Sequence, residues 1–444
     1  MSDRDVITHF GTARYKSILK KREVEVRPLT VFAGANSSGK SSIMQPLLLL
    51  KQTLEAPYDP GALLLDGSDV TFTAAEQLLA SKNGEREKSF SVFITIASDK
   101  DEASIAVTYG PRGRRTLDVI RQRADLSYGR VELRQGQSGT GFPSFPLPAD
   151  VARMMDFMES NQLGPPREIG WEVRRDRCFL EVPIKFGSRA EAVFSGLTTN
   201  RFQRLLTEII HVPALRGNPE RSYPVTAVET SFPGTFEAYV ASVIAQWQDS
   251  KAEELRRLES DLRALRLAPS VRAVPVNDTQ VELRVGRLPV KRAHRRSDMV
   301  NIADVGFGVS QTLPLLVALQ VARAGQMVYV EQPEIHLHPK AQYNLGKILG
   351  SAVGRRVRIV VETHSSLLLL GIQAAVARGD VTPQDVGLSW FSRDETGSTV
   401  VDSAHMNAAG SFGDWPEDFS DVVIEAQGEY LNAAALARDR IRLA

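Results

Sequence analysis

Gly34-Ala35-Asn36-Ser37-Ser38-Gly39-Lys40-Ser41-Ser42 fits the pattern G-x-x-x-x-G-K-[ST] completely. The β-prone run Leu29-Thr30-Val31-Phe32-Ala33 precedes it and an apolar helical run, residues 43–54, follows, so the motif sits on a strand-to-helix turn. Glycine at positions 34 and 39 lets the backbone N–H groups of the loop, through Asn36, Ser37 and Ser38, approach phosphate oxygens closely. The helix N-terminus beyond favours anions. Lys40 is placed to neutralise β- and γ-phosphates and Ser41 to ligate Mg²⁺, with Ser42 completing the loop contacts. Binding of a nucleoside triphosphate follows from these residues.

Working outward, the chain has 444 residues, 43% hydrophobic and 24% charged, which predicts two to three domains and ample material for a core. With 54 Lys and Arg against 53 Asp and Glu, no global field draws it toward nucleic acid. The one cysteine, Cys178, can form neither an intramolecular disulfide nor a zinc site alone. No apolar run reaches the 18 residues of a membrane span, and residues 1–5 lack the pattern of a secretory signal. The expectation is a cytoplasmic protein with no membrane partner.

The organisation reads as a split α/β core. Residues 1–90 carry short strands at 6–8, 24–26 and 29–33, then the loop and its helix. Residues 91–290 read as a large α+β insertion, β-rich and antiparallel as far as 210, then helical over 236–267. Residues 291–444 return to α/β, with helices at 313–322 and 339–353 and buried strands at 327–330 and 357–361, the signature of a parallel sheet covered on both faces.

Phosphoryl chemistry also needs an acid at the end of a neighbouring strand. Val328-Tyr329-Val330-Glu331-Gln332-Pro333-Glu334 supplies one, with Glu331 emerging after three apolar residues. The next buried strand ends Val360-Val361-Glu362-Thr363-His364-Ser365, placing His364 within reach of a γ-phosphate at the sheet's carboxyl edge.

Taken in order, residues 34–41, Gly306-Phe307-Gly308-Val309-Ser310-Gln311, the Glu331-Gln332-Pro333-Glu334-Ile335-His336-Leu337-His338-Pro339 box and Thr363-His364-Ser365 resemble the ABC-type ATPase heads. Within them, the set is most similar to stand-alone bacterial AAA-family ATPases grouped with the overcoming-lysogenization-defect (OLD) ATPases, and more distantly to chromosome-maintenance (SMC) heads. Residues 211–216, with Arg221 and Tyr223, and residues 413–416 are also similar to segments of such ATPases. The resemblance covers roughly residues 1–90 and 205–425. It implies a P-loop NTPase fold with a mixed, largely parallel sheet, and a head-to-tail homodimer or higher homo-oligomer with ATP and Mg²⁺ between subunits. In that arrangement Gly306, Gly308 and Ser310 face the partner's γ-phosphate, residues 335–339 touch across the dimer, His364 is the switch histidine and Gln77 is a candidate metal-sensing glutamine.

Three departures stand out. The family box runs Asp-Glu, for magnesium and general base; here it runs Glu331-Gln332, which passes the role of base to Glu334 or to water positioned by His364, or makes hydrolysis slow. Gly306 stands where the transporter-type signature has serine. The insertion has no zinc-binding cysteine pair and no long coiled coil. Two other readings sit beside these: a metal cluster of Glu334, His336 and His338, and a nucleic-acid contact through residues 291–296 with Arg112, Arg114 and Arg115. No Asp-x-Asp pair follows His364, so any effector is expected on a separate chain. The function so predicted is an ATPase that signals to such an effector, in anti-phage defence or DNA repair by analogy. Its rival is an ATP-gated scaffold with little or no hydrolysis.

Overall fold

The computed structural model describes residues 4–82, 84–112, 116–140, 145–146, 153, 169–186, 190–193, 199–228, 230–287 and 298–413. Strands β1 (Val6–Ala13), β2 (Arg22–Glu25) and β3 (Leu29–Gly34) lead into helix α1 (Lys40–Glu55). An antiparallel series follows: β4 (Phe90–Ala97), β5 (Glu102–Arg112), β6 (Thr116–Leu126) and β7 (Gly129–Arg134). After α2 (Asn200–Thr207) and β8 (Ile210–Val212) come α3 (Val240–Asp249), α4 (Glu253–Ala264) and the hairpin β9 (Val271–Asn277) and β10 (Gln280–Gly286). The last part alternates α5 (Phe307–Val321), β11 (Met327–Glu331), α6 (Pro339–Val353), β12 (Arg358–Glu362), α7 (Ser366–Ala377), β13 (Val386–Arg393) and β14 (Thr399–His405).

The central sheet runs β8-β11-β12-β3-β13-β14, parallel except for β14. All six residues of β3 are buried, and strand periodicity divides them between two cores. Leu29, Val31 and Ala33 join Val328, Val330, Ile359 and Val361 under α5, α6 and α7. Phe32 joins Tyr329, Val360 and Phe391 on the opposite face, under α1 and the antiparallel sheet. Strands covered on both sides must be apolar throughout, which is why these runs do not alternate.

That antiparallel sheet has the order β2-β1-β4-β5-β6-β7. It is opened by the first two strands of the chain, so residues on either side of position 90 share one sheet. The helix expected over 236–267 is interrupted: after a short turn at Phe236–Tyr239, α3 ends at Asp249 and α4 starts at Glu253. Between them Lys251 adopts φ 52. The break lets Trp247 on one helix and Leu258 and Leu262 on the other enter the same core as β9 and β10. Among the described residues no helix is long and apolar enough to cross a membrane.

Helices α6 and α7 meet backbone to backbone. A Cβ on Gly371 would lie 2.1 Å from the Tyr343 carbonyl oxygen, and one on Gly346 2.3 Å from that of Leu368. Both obstacles are main chain and cannot swing aside. Gly371→Ala is therefore expected to destabilise the fold by about 1–3 kcal/mol, read by urea denaturation. Because α7 follows directly on the Thr363-His364-Ser365 loop, the same variant is expected to displace His364.

Candidate nucleotide site

Strands β3, β11 and β12 end at one edge, where Glu331 pairs in register with Glu362, and Glu362 with Phe32. From β3 the chain turns through residues 34–39 with Gly34 at φ 141, Ser37 at φ 60 and Gly39 at φ 107. Gly39 is required twice over: its φ lies in the left-handed region, and a Cβ there would sit 2.3 Å from Thr399 Oγ1. Thr399 Oγ1 donates to the Ser38 carbonyl at 2.8 Å, and Arg393 donates to the Ser37 carbonyl at 2.8 and 2.6 Å. With the Ser38 carbonyl pinned this way, the trans peptide turns the Gly39 N–H to the opposite side. Asn36 and Ser37 are exposed at the tip, Ser41 and Ser42 half-buried in the first turn of α1, and Ser38 buried with no hydrogen-bond partner for its hydroxyl among the described residues.

Lys40 is buried, its Nζ donating to the Gly34 and Ala35 carbonyls at 3.0 and 2.8 Å. Burial lowers its pKa, opposed by the charges of Glu362 and Glu334. The ammonium is thus held over the loop by weak acceptors that a phosphate would replace with charge-assisted bonds.

The carboxylates divide the edge between them. Ser41 Oγ lies 3.0 and 2.9 Å from the two oxygens of Glu362, a side chain only 3% exposed, whose Oε2 also accepts from Tyr329 Oη at 3.2 Å. Burial raises the Glu362 pKa, Ser41 counters it, and the nearby Glu331 charge adds to the rise. Glu331 is engaged on the other side, by His211 Nε2 at 3.4 Å and the Ala214 N–H at 3.2 Å. Burial pushes Glu331 upward, but His211 and the Ala214 N–H outweigh it and hold the carboxyl below its usual range.

Glu334 Oε1 accepts the His364 N–H at 2.7 Å, while its Oε2 is buried without a hydrogen-bond partner among the described residues. Burial raises the Glu334 pKa, with that N–H opposing. A buried carboxylate raised in this way, with one oxygen uncommitted, is equipped to take a proton. The His364 ring contacts the Gly34 backbone, and burial and the Lys40 charge lower its pKa. Gln332 sits at φ 41, its N–H donating to the Glu362 carbonyl at 2.8 Å. The hard oxygen donors Ser41, Glu362 and Glu331 suit Mg²⁺ in kind.

The segment 306–311 opens α5. No side chain caps that helix, a Cβ added to Gly306 would meet open space, and Phe307 is 49% exposed. Ser310 Oγ donates to the Phe307 carbonyl at 3.2 Å, and Gly308 packs beside the His336 carbonyl. Buried Arg216 ties this helix to the acidic strand, donating to the Gln311 carbonyl at 2.5 Å and the Glu331 carbonyl at 3.3 Å, while Gln311 Nε2 returns bonds to the carbonyls of Arg216 and Gly217.

Other expected residues are placed as follows. Gln77 is exposed, with Oε1 accepting from the Thr73 and Ala74 N–H groups of its own turn. The cluster of Glu334, His336 and His338 does not form: His336 lies against Phe307, His338 caps α6 by accepting from the Lys340 N–H, and Glu334 holds His364. Among the described residues no three His, Cys, Asp or Glu side chains gather as a metal site. The basic run 291–296, with Arg114 and Arg115, and residues 414–416 lie outside the described residues; Arg112 ends β5. Sequence reasoning gave no role to Glu362, His211 or Arg216. For Glu362 the signal was present, since β11 and β12 both end on a glutamate after apolar residues.

A strand order in which the loop strand is separated from the acidic strand by the strand leading to His364, with an antiparallel sheet covering α1, defines a P-loop NTPase head of the ABC type. Residues 184–370 match the family described as "AAA domain, putative AbiEii toxin, Type IV TA system", which bears out the resemblance to AAA and ABC-type ATPase heads. The matched segment holds the residues 306–311, the acidic box and Thr363-His364-Ser365, and lies beyond the phosphate loop. No curated protein matches the sequence. Among solved structures the chain is similar to an SMC head bound to the C-winged helix domain of ScpA, at 14% identity over 91% of this chain and 99% of that one, TM-score 0.49. It is also similar to the SMC head domain from Thermotoga maritima, at 10% identity over 89% and 98%, TM-score 0.38. A third is an SMC head with an extended coiled coil bound to the C-terminal domain of ScpA, derived from Pyrococcus furiosus, at 13% identity over 90% and 96%, TM-score 0.44.

Proposed function

We propose that the chain binds Mg-ATP at residues 34–42, pairs head to tail with a second copy around it, and hydrolyses ATP slowly to drive a conformational signal to a separate effector in defence or repair. The observation that carries the reading is the convergence of Lys40, Ser41, Glu334, Glu362 and His364 at one strand edge. Ser41, with the carboxylates of Glu331 and Glu362 nearby, would hold magnesium, which would supply charge neutralisation to the phosphates. The chain's own part is positioning: loop amides and Lys40 hold the triphosphate, Glu334 takes the proton of the attacking water, and His364 sits against the γ-phosphate position. The uncapped, open N-terminus of α5 favours an anion and suits the γ-phosphate of a partner's nucleotide.

The scaffold reading has its own support. Gln332 cannot accept a proton usefully, and the carboxylate behind it is already holding the His364 backbone. Steady-state and single-turnover phosphate release decides between them. Glu334→Gln is expected to lower turnover by roughly 10²–10⁴-fold with ATP binding kept, whereas Gln332→Glu is expected to raise it. ATP bound without release in the unmodified protein, relieved by Gln332→Glu, means that ATP serves as a latch.

A further inference from the structure

We infer that Glu362, and not the box residue Glu331, is the carboxylate that organises the magnesium ion beside Ser41; this rests on the reading of residues 34–42 as an Mg-ATP site. In the motif order, the metal's acid belongs to the acidic box. The geometry divides the tasks otherwise. Ser41 Oγ, the loop's metal ligand, lies 3.0 and 2.9 Å from both Glu362 oxygens, while Glu331 is drawn toward β8 by His211 Nε2 and the Ala214 N–H. His211 is itself 1% exposed and fixed through Nδ1 to Asp69 at 2.9 Å, so its hold on Glu331 is built into the core.

Glu362 has the surroundings of a group waiting for a cation. It is buried at a strand end, accepts from two neutral hydroxyls, Ser41 and Tyr329, and has Lys40 as a nearby charge. Both of its oxygens already face Ser41 Oγ, so a cation bound at that hydroxyl would lie within reach of the carboxylate. Glu362 then orients the ion or a water in its shell. Tyr329 acts behind it as a brace, its ring stacked on His211 with centroids 5.4 Å apart.

The test uses the full chain with Mn²⁺ as probe, its binding followed by electron paramagnetic resonance in the presence of ATP, and a fluorescent ATP analogue titrated in EDTA. Glu362→Gln keeps the size and an acceptor for Ser41 but removes the charge. It is expected to weaken Mn²⁺ binding by roughly 10- to 100-fold, the range found when partners of metal ligands are lost. Metal-free ATP binding should be unchanged or tighter, because a negative charge facing the triphosphate is gone. Glu331→Gln is expected to weaken Mn²⁺ less. A structural role alone would weaken both measurements together, and thermal melting of each variant separates that case from misfolding. Full Mn²⁺ affinity in Glu362→Gln, with loss in Glu331→Gln, overturns the assignment. Failure of the unmodified chain to bind ATP at all would instead sink the nucleotide-site reading beneath it.

Discussion

Lys40→Ala is expected to abolish the ATP-dependent behaviour of the protein without loss of thermal stability. The ammonium is buried over the loop, and burial already lowers its pKa, so in the absence of nucleotide the fold carries it at a cost. Its two acceptors, the Gly34 and Ala35 carbonyls, belong to a loop braced independently by Thr399 and Arg393. Removing the side chain therefore leaves the loop in place but strips the positive charge that faces the phosphates and that lies near Glu334 and Glu362. Loss of one such preorganised donor typically costs about 10²–10³-fold in rate, and the loss of nucleotide affinity adds to it. Phosphate release, nucleotide titration and a melting curve on the same preparation check the three parts. Retained turnover would mean that the loop is not the catalytic site.

Lys51→Met is expected to have the larger effect on stability. Lys51 is 0% exposed in α1, and its Nζ sits 3.0 Å from Glu55, 3.1 Å from Asp69 and 3.0 Å from the Gly234 carbonyl. Taking away one partner of a buried ion pair leaves the others uncompensated, a loss of about 3–5 kcal/mol. Asp69 is held below its usual pKa: burial pushes it up, but His211 and Lys51 together pull it lower. A depressed carboxyl contributes stability that is present above the unfolded value of about 3.8 and is lost as the pH falls through the lower folded value. The variant is accordingly expected to show a shallower acid-side decline in urea midpoint as well as a lower midpoint at neutral pH. Adding Asp69→Asn should recover part of the loss, since it removes a charge that the methionine cannot answer.

Much of the site could be read in order along the chain, because each part is a local pattern with a local cause. The loop needs its glycines at 34 and 39, the strands ending at Glu331 and Glu362 announce themselves by unbroken apolar runs, and His364 follows one of them directly. What escaped was the direction in which the acids point. Glu331 is turned by His211, 120 residues earlier, and no spacing rule links the two. Glu362 was passed over because the box had already provided an acid. The helical reading across 250–252 failed because the charge pairs behind it, Glu253 with Arg257 and Glu259 with Arg263, lie within α4 alone, and the apolar positions on either side keep helical spacing across the break, so neither pattern marked the turn at Lys251.

The phosphate-loop strand also sets a timetable. Both of its neighbours in the sheet come from the far end of the chain, and Ser41 meets Glu362 across 321 residues. At a synthesis rate of roughly 5–20 residues per second, the loop emerges about a quarter of a minute to a minute before the acid that faces its serine. Over that interval β3, largely apolar and buried throughout in the finished fold, has bare edges, the kind of segment that pairs indiscriminately. A newborn chain thus carries this strand without its neighbours until residues 358–393 have been made, and the acid that faces Ser41 is among the later parts of the site to be synthesised.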